Sequence, residues 1–213
     1  VSEITFNEDF VATLSGPSFA REVAQGVFTS VVLASRAGNT AKYFQNVVHS
    51  QNFRVYTSED IIGLEVGGAM KNVMAIGAGI IEGLKLGTNT LAAFVTRSLA
   101  EIKRLGKAMG AKETTFMGLS GIGDLVLTCY GGLSRNRAFG IELSKGRMAE
   151  EIVRNQKQVV EGYYTIKASH ALSKKLKVDM PITEELFKIV YENKNHRDSL
   201  EDITSRGLKD EDV

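Results

Sequence analysis

The sequence predicts a chain in two parts, an α/β remnant at residues 1–58 followed by a larger all-α domain at residues 59–213. Strand-like runs of β-branched and apolar residues occur only in the first part, where they alternate with short helical patterns. The second part shows helical periodicity throughout, and its run between Glu65 and Glu82 is apolar nearly all round. A helix without a polar face is typical of the middle of a domain, so this run organises the second part.

The first part reads as strand, helix, strand, helix, strand. Strands are predicted at Val11 to Leu14, Thr29 to Ala34 and Phe53 to Tyr56, and helices at Phe19 to Ala24 and Thr40 to His49. This alternation predicts a parallel sheet. Because a parallel sheet is normally covered on both faces and has more strands beside it, three strands indicate the trailing edge of a larger α/β domain.

The second part begins where strand patterns stop, so we place the boundary near residues 57–60. Ser58 is the predicted N-cap of the central helix, because acidic residues follow it in the first turn. Thr88 or Asn89 is predicted to cap the next helix, which carries an apolar stripe on one side. Further helices are predicted at 113–118, about 122–130, 134–145, 148–156, 161–177, 182–193 and 198–206.

Lys71 is the one ionisable side chain inside the apolar run. A charge is costly to bury, so a lysine in the middle of a domain is a candidate catalytic base. The alternative is a structural lysine that reaches the surface or pairs with a carboxylate to hold the helix. Each glycine in a helix costs about 1 kcal/mol relative to alanine. We therefore expect a helix or a ligand to approach the backbone closely at Gly67, Gly68, Gly77 and Gly79.

Composition excludes several classes of protein. The chain is 43% hydrophobic and 24% charged, which is typical of globular proteins, and its net charge of +1 gives no support for a nucleic-acid partner. No membrane span is predicted, because the apolar run is short and Lys71 and Asn72 lie well inside it. Cys129 is the only cysteine and no signal pattern opens the sequence, so we expect a cytoplasmic protein. No metal site is predicted, because the three histidines lie far apart: His49, His170 and His196.

Three further features accompany Lys71. Asp124 lies in apolar and glycine-rich surroundings, where it is either a site carboxylate or a helix cap. The segment from Gly131 to Arg137 is a glycine turn into a helix; such an N-terminus favours an anion, although Ser134 could simply cap a solvated helix start. Gly16-Pro17-Ser18 is a turn at a strand end, where open α/β sheets bind ligands. Together these features indicate an enzyme that acts on a small phosphorylated alcohol or ketone.

Two arginines follow Ser134 in this segment. Arg135 can supply a charge-assisted hydrogen bond to a phosphate. Arg137 lies two residues further along the helix and should face away from Arg135, so it is predicted to be a surface residue.

Five segments of the sequence resemble the bacterial NAD(P)-dependent glycerol-3-phosphate dehydrogenase family. They run in the family's order and cover nearly the whole chain. The resemblance implies that the first part is the trailing part of a Rossmann-type dinucleotide-binding domain and that the helical part binds substrate. The segments are Leu14 to Ala20, Gly67 to Val73, Gly123 to Cys129, Ser134 to Arg137 and Val159 to Gly162.

The resemblance also implies roles for individual residues. Lys71 is implied to be the proton acceptor in reversible hydride transfer between C2 of glycerol 3-phosphate and NAD or NADP, a reaction that serves phospholipid synthesis. We also expect no metal ion, and a homodimer stays open. The implied substrate-binding residues are Gly16, Ser18, Lys71, Asp124, Ser134, Arg135 and Asn136. The implied cofactor-binding residues are Ala20, Arg135, Val159 and Glu161.

The sequence departs from the family at its glycine-rich turn. No G-x-G-x-x-G follows a strand, and Gly77-Ala78-Gly79 lies inside a helical run. We therefore expect these 213 residues alone not to be a competent dehydrogenase. Two alternatives stay open, a related hydroxyacid dehydrogenase with the same helical lysine and a helical binding or oligomerisation module without activity.

Overall fold

The computed structural model describes residues 10–156, 158–208 and 210–211. Its sheet contains three strands in the order β1 (Thr13–Ser15), β2 (Thr29–Ala34) and β3 (Phe53–Ser58). β2 and β3 are parallel as predicted, whereas β1 pairs with β2 in the antiparallel sense. The prediction of an all-parallel sheet is therefore wrong at β1. A parallel return needs a crossover that spans the sheet, and the connection from β1 to β2 contains only the five-residue helix α1 (Ala20–Ala24).

The sheet carries a small core of its own. Helix α2 (Gly38–Val48) packs on β2 and β3, and its Ala41 is buried against Val31, Leu33 and Val55. These side chains alternate along their strands, as expected for residues that point to one face. The sheet is thus covered on this face by a single helix.

The helical part is built around α3 (Ile61–Gly83), a 23-residue helix that is buried along most of its length. Its N-cap is Asp60, whose carboxylate accepts hydrogen bonds from the backbone N–H groups of Gly63 and Lys112, each at 2.9 Å. The predicted cap, Ser58, instead accepts a bond from the Asp60 N–H at 3.1 Å. A carboxylate at this position reaches both the helix and the segment at Lys112, which a serine two residues earlier cannot do.

The remaining helices surround α3. The predicted fold class, a small α/β remnant followed by a larger helical region, is confirmed. The next helix, α4 (Thr88–Ala108), has Gly87 as its N-cap, which has no side chain to offer, so the predicted caps Thr88 and Asn89 are wrong. A 3₁₀ turn at Glu113–Met117 and a π turn at Leu119–Gly123 precede α5. The helices are α4 (Thr88–Ala108), α5 (Asp124–Tyr130), α6 (Arg135–Ser144), α7 (Ala149–Asn155), α8 (Glu161–Leu176), α9 (Pro181–Glu192) and α10 (His196–Thr204).

Gly67, Gly77 and Gly79 of α3 mark close approaches, as the sequence predicts, whereas a Cβ on Gly68 would make only an ordinary contact, 3.5 Å from the Ser15 hydroxyl. A Cβ on Gly79 would collide with the backbone carbonyl of Arg137 in α6, and a Cβ on Gly140 of α6 would collide with the carbonyl of Ile76. Gly77 lies in the same way against the ring of Phe94. The absence of side chains at Gly79 and Gly140 lets α6 lie directly on α3.

α3 is long and apolar enough to cross a membrane by length and composition alone. In this fold, however, 61% of its most apolar window is buried inside the protein. The core helix of a globular domain has the same properties. Among the residues that the structure describes, no cluster of three His, Cys, Asp or Glu side chains could hold a metal ion.

Candidate functional site

A cleft of about 610 Å³ opens where the end of β1 meets α3, α5 and α6. It brings together nearly all of the site residues that the sequence predicts. Val159 is the exception, because it does not line the cleft and its side chain is 62% exposed. The predicted residues that line the cleft are Gly16, Ser18, Ala20, Lys71, Asp124, Ser134, Arg135, Asn136 and Glu161.

Lys71 lies near the middle of α3 and points into this cleft. Its Nζ is 2.5 Å from Oδ2 of Asp124, and its side chain is 23% exposed. The two interpretations of Lys71 therefore coincide, because the lysine pairs with a carboxylate and is also accessible from the cleft. Its position in a helix that is fixed along its length gives the amine a defined location.

Asp124 is the first residue of α5 and is only 2% exposed. Its Oδ2 also accepts a hydrogen bond from the backbone N–H of Gly16 at 3.3 Å. Burial raises the pKa of this carboxyl, while the nearby Lys71 ammonium opposes the rise. The alternative that Asp124 is a helix cap is wrong, since the N-cap of α5 is Gly123 and the Asp124 carboxylate faces Lys71.

The turn after β1 depends on Gly16. Its φ of +137° lies in a region that L side chains rarely adopt, and a Cβ there would press on Val31 at 3.1 Å. The Ser18 hydroxyl donates to the Gly16 carbonyl at 3.0 Å and stabilises the turn. This conformation directs the Gly16 N–H to Asp124, so the turn and the Lys71–Asp124 pair share one acceptor.

The N-terminus of α6 forms another wall of the cleft. Ser134 is its N-cap and accepts a hydrogen bond from the Arg137 N–H at 3.2 Å, which leaves its hydroxyl proton to be donated elsewhere. Arg135 is exposed; it pairs with Glu161 at 3.4 Å and donates to Gln158 at 3.2 Å. Exposed pairs of this kind contribute little, so an anion in the cleft can compete for the guanidinium.

Asn136 is buried and serves mainly to connect helices. Its Oδ1 accepts from the backbone N–H of Gly162 in α8 at 2.8 Å, and its Nδ2 donates to Oδ1 of Asn72 in α3 at 2.9 Å. Sequence reasoning did not select Asn72 as a site residue, although it is the only other polar residue beside Lys71 in the apolar run. Thr128 was also missed; it lines the cleft and donates to the Asp124 carbonyl at 2.6 Å. Thr128 could have been predicted from its position four residues after Asp124, because residues i and i+4 lie on the same face of a helix.

Arg137 faces away from the cleft, but the prediction that it is a surface residue is wrong. Its side chain is only 18% exposed and forms an ion pair with Glu82 near the end of α3. The reason is the close contact of α3 with α6, which encloses side chains that would otherwise reach solvent.

The arrangement offers two kinds of chemistry within one cleft. The amine of Lys71 and the carboxylate of Asp124 can exchange a proton with a bound hydroxyl group. The start of α6 combines exposed N–H groups, the Ser134 hydroxyl and the Arg135 guanidinium, which together suit a phosphate. A ligand that uses both would carry a hydroxyl or carbonyl group at one end and an anionic group at the other.

Comparison with known proteins assigns the chain to a family. The model described as the C-terminus of NAD-dependent glycerol-3-phosphate dehydrogenase matches residues 60–201, and the model of its N-terminus matches residues 1–41. The glycerol-3-phosphate dehydrogenase (NAD(P)+) of Syntrophotalea carbinolica is 51% identical over 200 residues, which are 94% of this chain and 60% of that protein. The corresponding protein of Oceanobacillus iheyensis is 47% identical over 209 residues, 98% of this chain and 61% of that protein.

Solved structures agree with this assignment. The crystal structure of glycerol-3-phosphate dehydrogenase from Coxiella burnetii matches with a TM-score of 0.88 and 42% identity, over 92% of this chain and 60% of that one. The glycerol-3-phosphate dehydrogenase of Saccharomyces cerevisiae matches with a TM-score of 0.79 and 31% identity, over 91% of this chain and 59% of that one. The chain spans about 60% of the length of the curated relatives it matches. The resemblance seen in the sequence is confirmed, and the chain belongs to the NAD-dependent glycerol-3-phosphate dehydrogenase family.

Proposed function

We propose that the chain is the substrate-binding and catalytic portion of a glycerol-3-phosphate dehydrogenase, with glycerol 3-phosphate and dihydroxyacetone phosphate as its ligands. One observation carries the proposal: the Lys71–Asp124 pair and the N-terminus of α6 line the same cleft. The names of the relatives supply the substrate, and the chemistry of the cleft suits its two ends. The phosphate binds at Ser134 and Arg135, and the C2 hydroxyl faces Lys71.

Lys71 and Asp124 divide the proton transfer between them. Lys71 Nζ takes the proton from the C2 hydroxyl as the carbonyl forms. Because burial raises the pKa of Asp124, this carboxylate accepts a proton more readily than an exposed aspartate does. In this proposal Asp124 orients the amine and is the carboxylate nearest to it, with Oδ2 at 2.5 Å from Nζ. Gly16 and Thr128 keep the carboxylate in place through the N–H of the turn and the threonine hydroxyl.

The rim of the cleft fits one end of a dinucleotide. Ala20, Arg135 and Glu161 lie there, and within the described part of the chain the guanidinium of Arg135 contacts a neutral amide and one exposed carboxylate. We propose that these residues hold NAD or NADP. Val159 does not line the cleft, so its predicted contact with the cofactor stays a prediction. A bound NAD or NADP in its oxidised form would supply the hydride acceptor for C2.

The same proposal covers the setting of the protein. We infer a cytoplasmic enzyme of glycerophospholipid synthesis, supported by the family assignment and by a single cysteine that is buried and reduced. A homodimer is part of the proposal and is tested by sedimentation equilibrium. A hydroxyacid dehydrogenase is the less favoured alternative, because Ser134 and Arg135 at a helix N-terminus suit a phosphate better than a carboxylate alone.

Calorimetric titration of the 213-residue chain tests the proposal. We expect glycerol 3-phosphate to bind and unphosphorylated glycerol to show no heat. Arg135→Ala should weaken binding about 10- to 150-fold, since a hydrogen bond to a charged group contributes about 1.5–3 kcal/mol. Arg135→Lys should recover only part of the loss, because an ammonium lacks the planar fork. Arg154→Ala, which removes an exposed arginine of α7, is the control and should bind normally. Equal affinity for glycerol, or no effect of Arg135→Ala, would contradict the proposal.

A further inference from the structure

Helix α6 opens with charges of the unfavourable sign. The N-terminus of a helix carries a partial positive charge and favours acidic side chains, yet the first turn of α6 contains two arginines and no acid. Arg135 is explained by the anion that we propose for the cleft. Arg137 does not line the cleft and needs a separate explanation.

The surroundings of Arg137 do not indicate a residue retained for stability. Its guanidinium pairs with Glu82, but its Nε is buried and has no hydrogen-bond partner among the described residues. A buried donor without a partner is destabilising, and a hydrophobic residue of similar size often replaces a buried ion pair without loss of stability. Glu82 itself is exposed, so removing the arginine would not strand a buried carboxylate.

The contact between α3 and α6 is built on close backbone approaches beside buried side chains such as Phe139. Gly79 of α3 lies against the Arg137 carbonyl, and Gly140 of α6 lies against the Ile76 carbonyl. At these glycines the two backbones approach closely, and no side-chain hydrogen bond joins the helices at the glycines themselves. The Arg137–Glu82 pair joins the same two helices beside this crossing and supplies a specific connection.

The position of α6 matters because of the residue next to Arg137. Asn136 connects α6 to Gly162 of α8 and to Asn72 of α3, and Asn72 follows Lys71 directly. A shift of α6 along α3 would therefore break these two bonds and move Ser134 and Arg135 relative to Lys71. We propose that Arg137 is a positioning residue, whose pair with Glu82 fixes α6 on α3 so that the anion-binding turn faces Lys71. The part of this inference that concerns the ligand rests on the proposed function.

Amide hydrogen exchange in the ligand-free chain tests the positioning directly. The reporter is the backbone N–H of Gly162, which is bonded to Asn136 and lies far from Arg137 in sequence. Arg137→Met should speed its exchange at least tenfold, while Arg137→Lys, which keeps the charge and lacks the unpartnered Nε, should restore most of the protection. The control is Arg147→Met, because Arg147 also pairs with an acid of α6, Glu142, but at the other end of that helix. If Arg137→Met does not fold, Glu82→Gln breaks the same pair from the exposed side.

Titration with glycerol 3-phosphate gives the second readout. Arg137→Met should raise the dissociation constant at least tenfold with a melting temperature close to that of the wild type, and Arg137→Lys should recover most of the affinity. A purely structural arginine would lower the melting temperature and leave the exchange of Gly162 unchanged. Unchanged exchange at Gly162 in both Arg137→Met and Glu82→Gln would overturn the inference. If the wild-type chain binds no glycerol 3-phosphate, the proposed function fails, while the exchange measurement still decides the role of Arg137.

Discussion

Glu101 is a buried carboxylate whose ionisation should set the pH dependence of stability. It lies in α4 and is only 1% exposed. Its two oxygens accept hydrogen bonds from the first turn of α9, from the Ile182 N–H at 2.5 Å and from the Thr183 N–H and hydroxyl at 3.2 and 3.1 Å. Burial raises its pKa from 4.5 to about 7, and these hydrogen bonds offset only part of the effect.

The size and sign of the effect follow from linkage. A pKa that moves from 4.5 in the unfolded chain to about 7 in the folded chain corresponds to about 3 kcal/mol. Because the folded pKa is the higher one, this contribution is fully present below pH 4.5, falls as the pH rises and is lost above about pH 7. The chain should therefore lose stability between pH 5 and pH 8 as Glu101 ionises.

Urea unfolding followed by circular dichroism at a series of pH values measures this loss. Glu101→Gln cannot ionise, so the unfolding free energy of the wild type minus that of the variant should fall by about 3 kcal/mol from pH 4.5 to pH 8. Glu113→Gln is the control of opposite sign. A hydrogen bond from the exposed Lys107 lowers the pKa of Glu113, so the contribution of Glu113 to the unfolding free energy should be lost as the pH falls. A wild-type minus Glu101→Gln difference that is the same at both ends of the pH range would refute the reasoning.

Three further outcomes are expected. Cys129 should not react with a thiol reagent in the folded chain and should react fully on denaturation, because burial raises its pKa to about 12. Gly79→Ala should lower the free energy of unfolding by about 2–4 kcal/mol, because its Cβ would collide with a backbone carbonyl of α6; Gly132→Ala, which meets open space, should change it by less than about 0.5 kcal/mol. In a chimera extended by the complete nucleotide-binding segment of the Syntrophotalea carbinolica relative, Lys71→Met should lower turnover about 10²- to 10⁴-fold with the fold retained. A near-normal rate would make Lys71 structural.

The fold was predictable wherever local patterns agree with burial. The apolar run around Lys71 has no polar face, and it forms the central helix from Ile61 to Gly83. The direction of β1 was not predictable, because a strand of three residues carries no signal for its orientation in the sheet. The sequence also does not show that Gly16 takes a positive φ in the turn that follows β1. The division into domains at 1–58 and 59–213 stays a prediction, although β3 ends and α3 begins at this boundary.

The site was predictable to the extent that unusual residues stand out from their neighbours. Lys71 and Asp124 were selected because each is a charge in apolar surroundings, and they form one pair. Arg137 was placed wrongly because helical spacing gives the direction of a side chain but not what packs over it. The close approach of α6 to Gly79 of α3 is a contact between distant segments, and no residue pattern within α6 predicts it. The roles of the cleft residues remain predictions that the titrations above test.

Asp124 forms hydrogen bonds with both parts of the chain. Its Oδ2 accepts from the turn after β1 through Gly16 and faces the amine of Lys71 in α3. Because one carboxylate oxygen accepts from both donors, the surroundings of Lys71 depend on the position of the turn after β1. If the turn moved away, Asp124 would lose a hydrogen bond that favours its ionised form, and its pKa would rise further. The Lys71–Asp124 pair is therefore tied to the position of the sheet, because the turn after β1 and the central helix share this one oxygen atom.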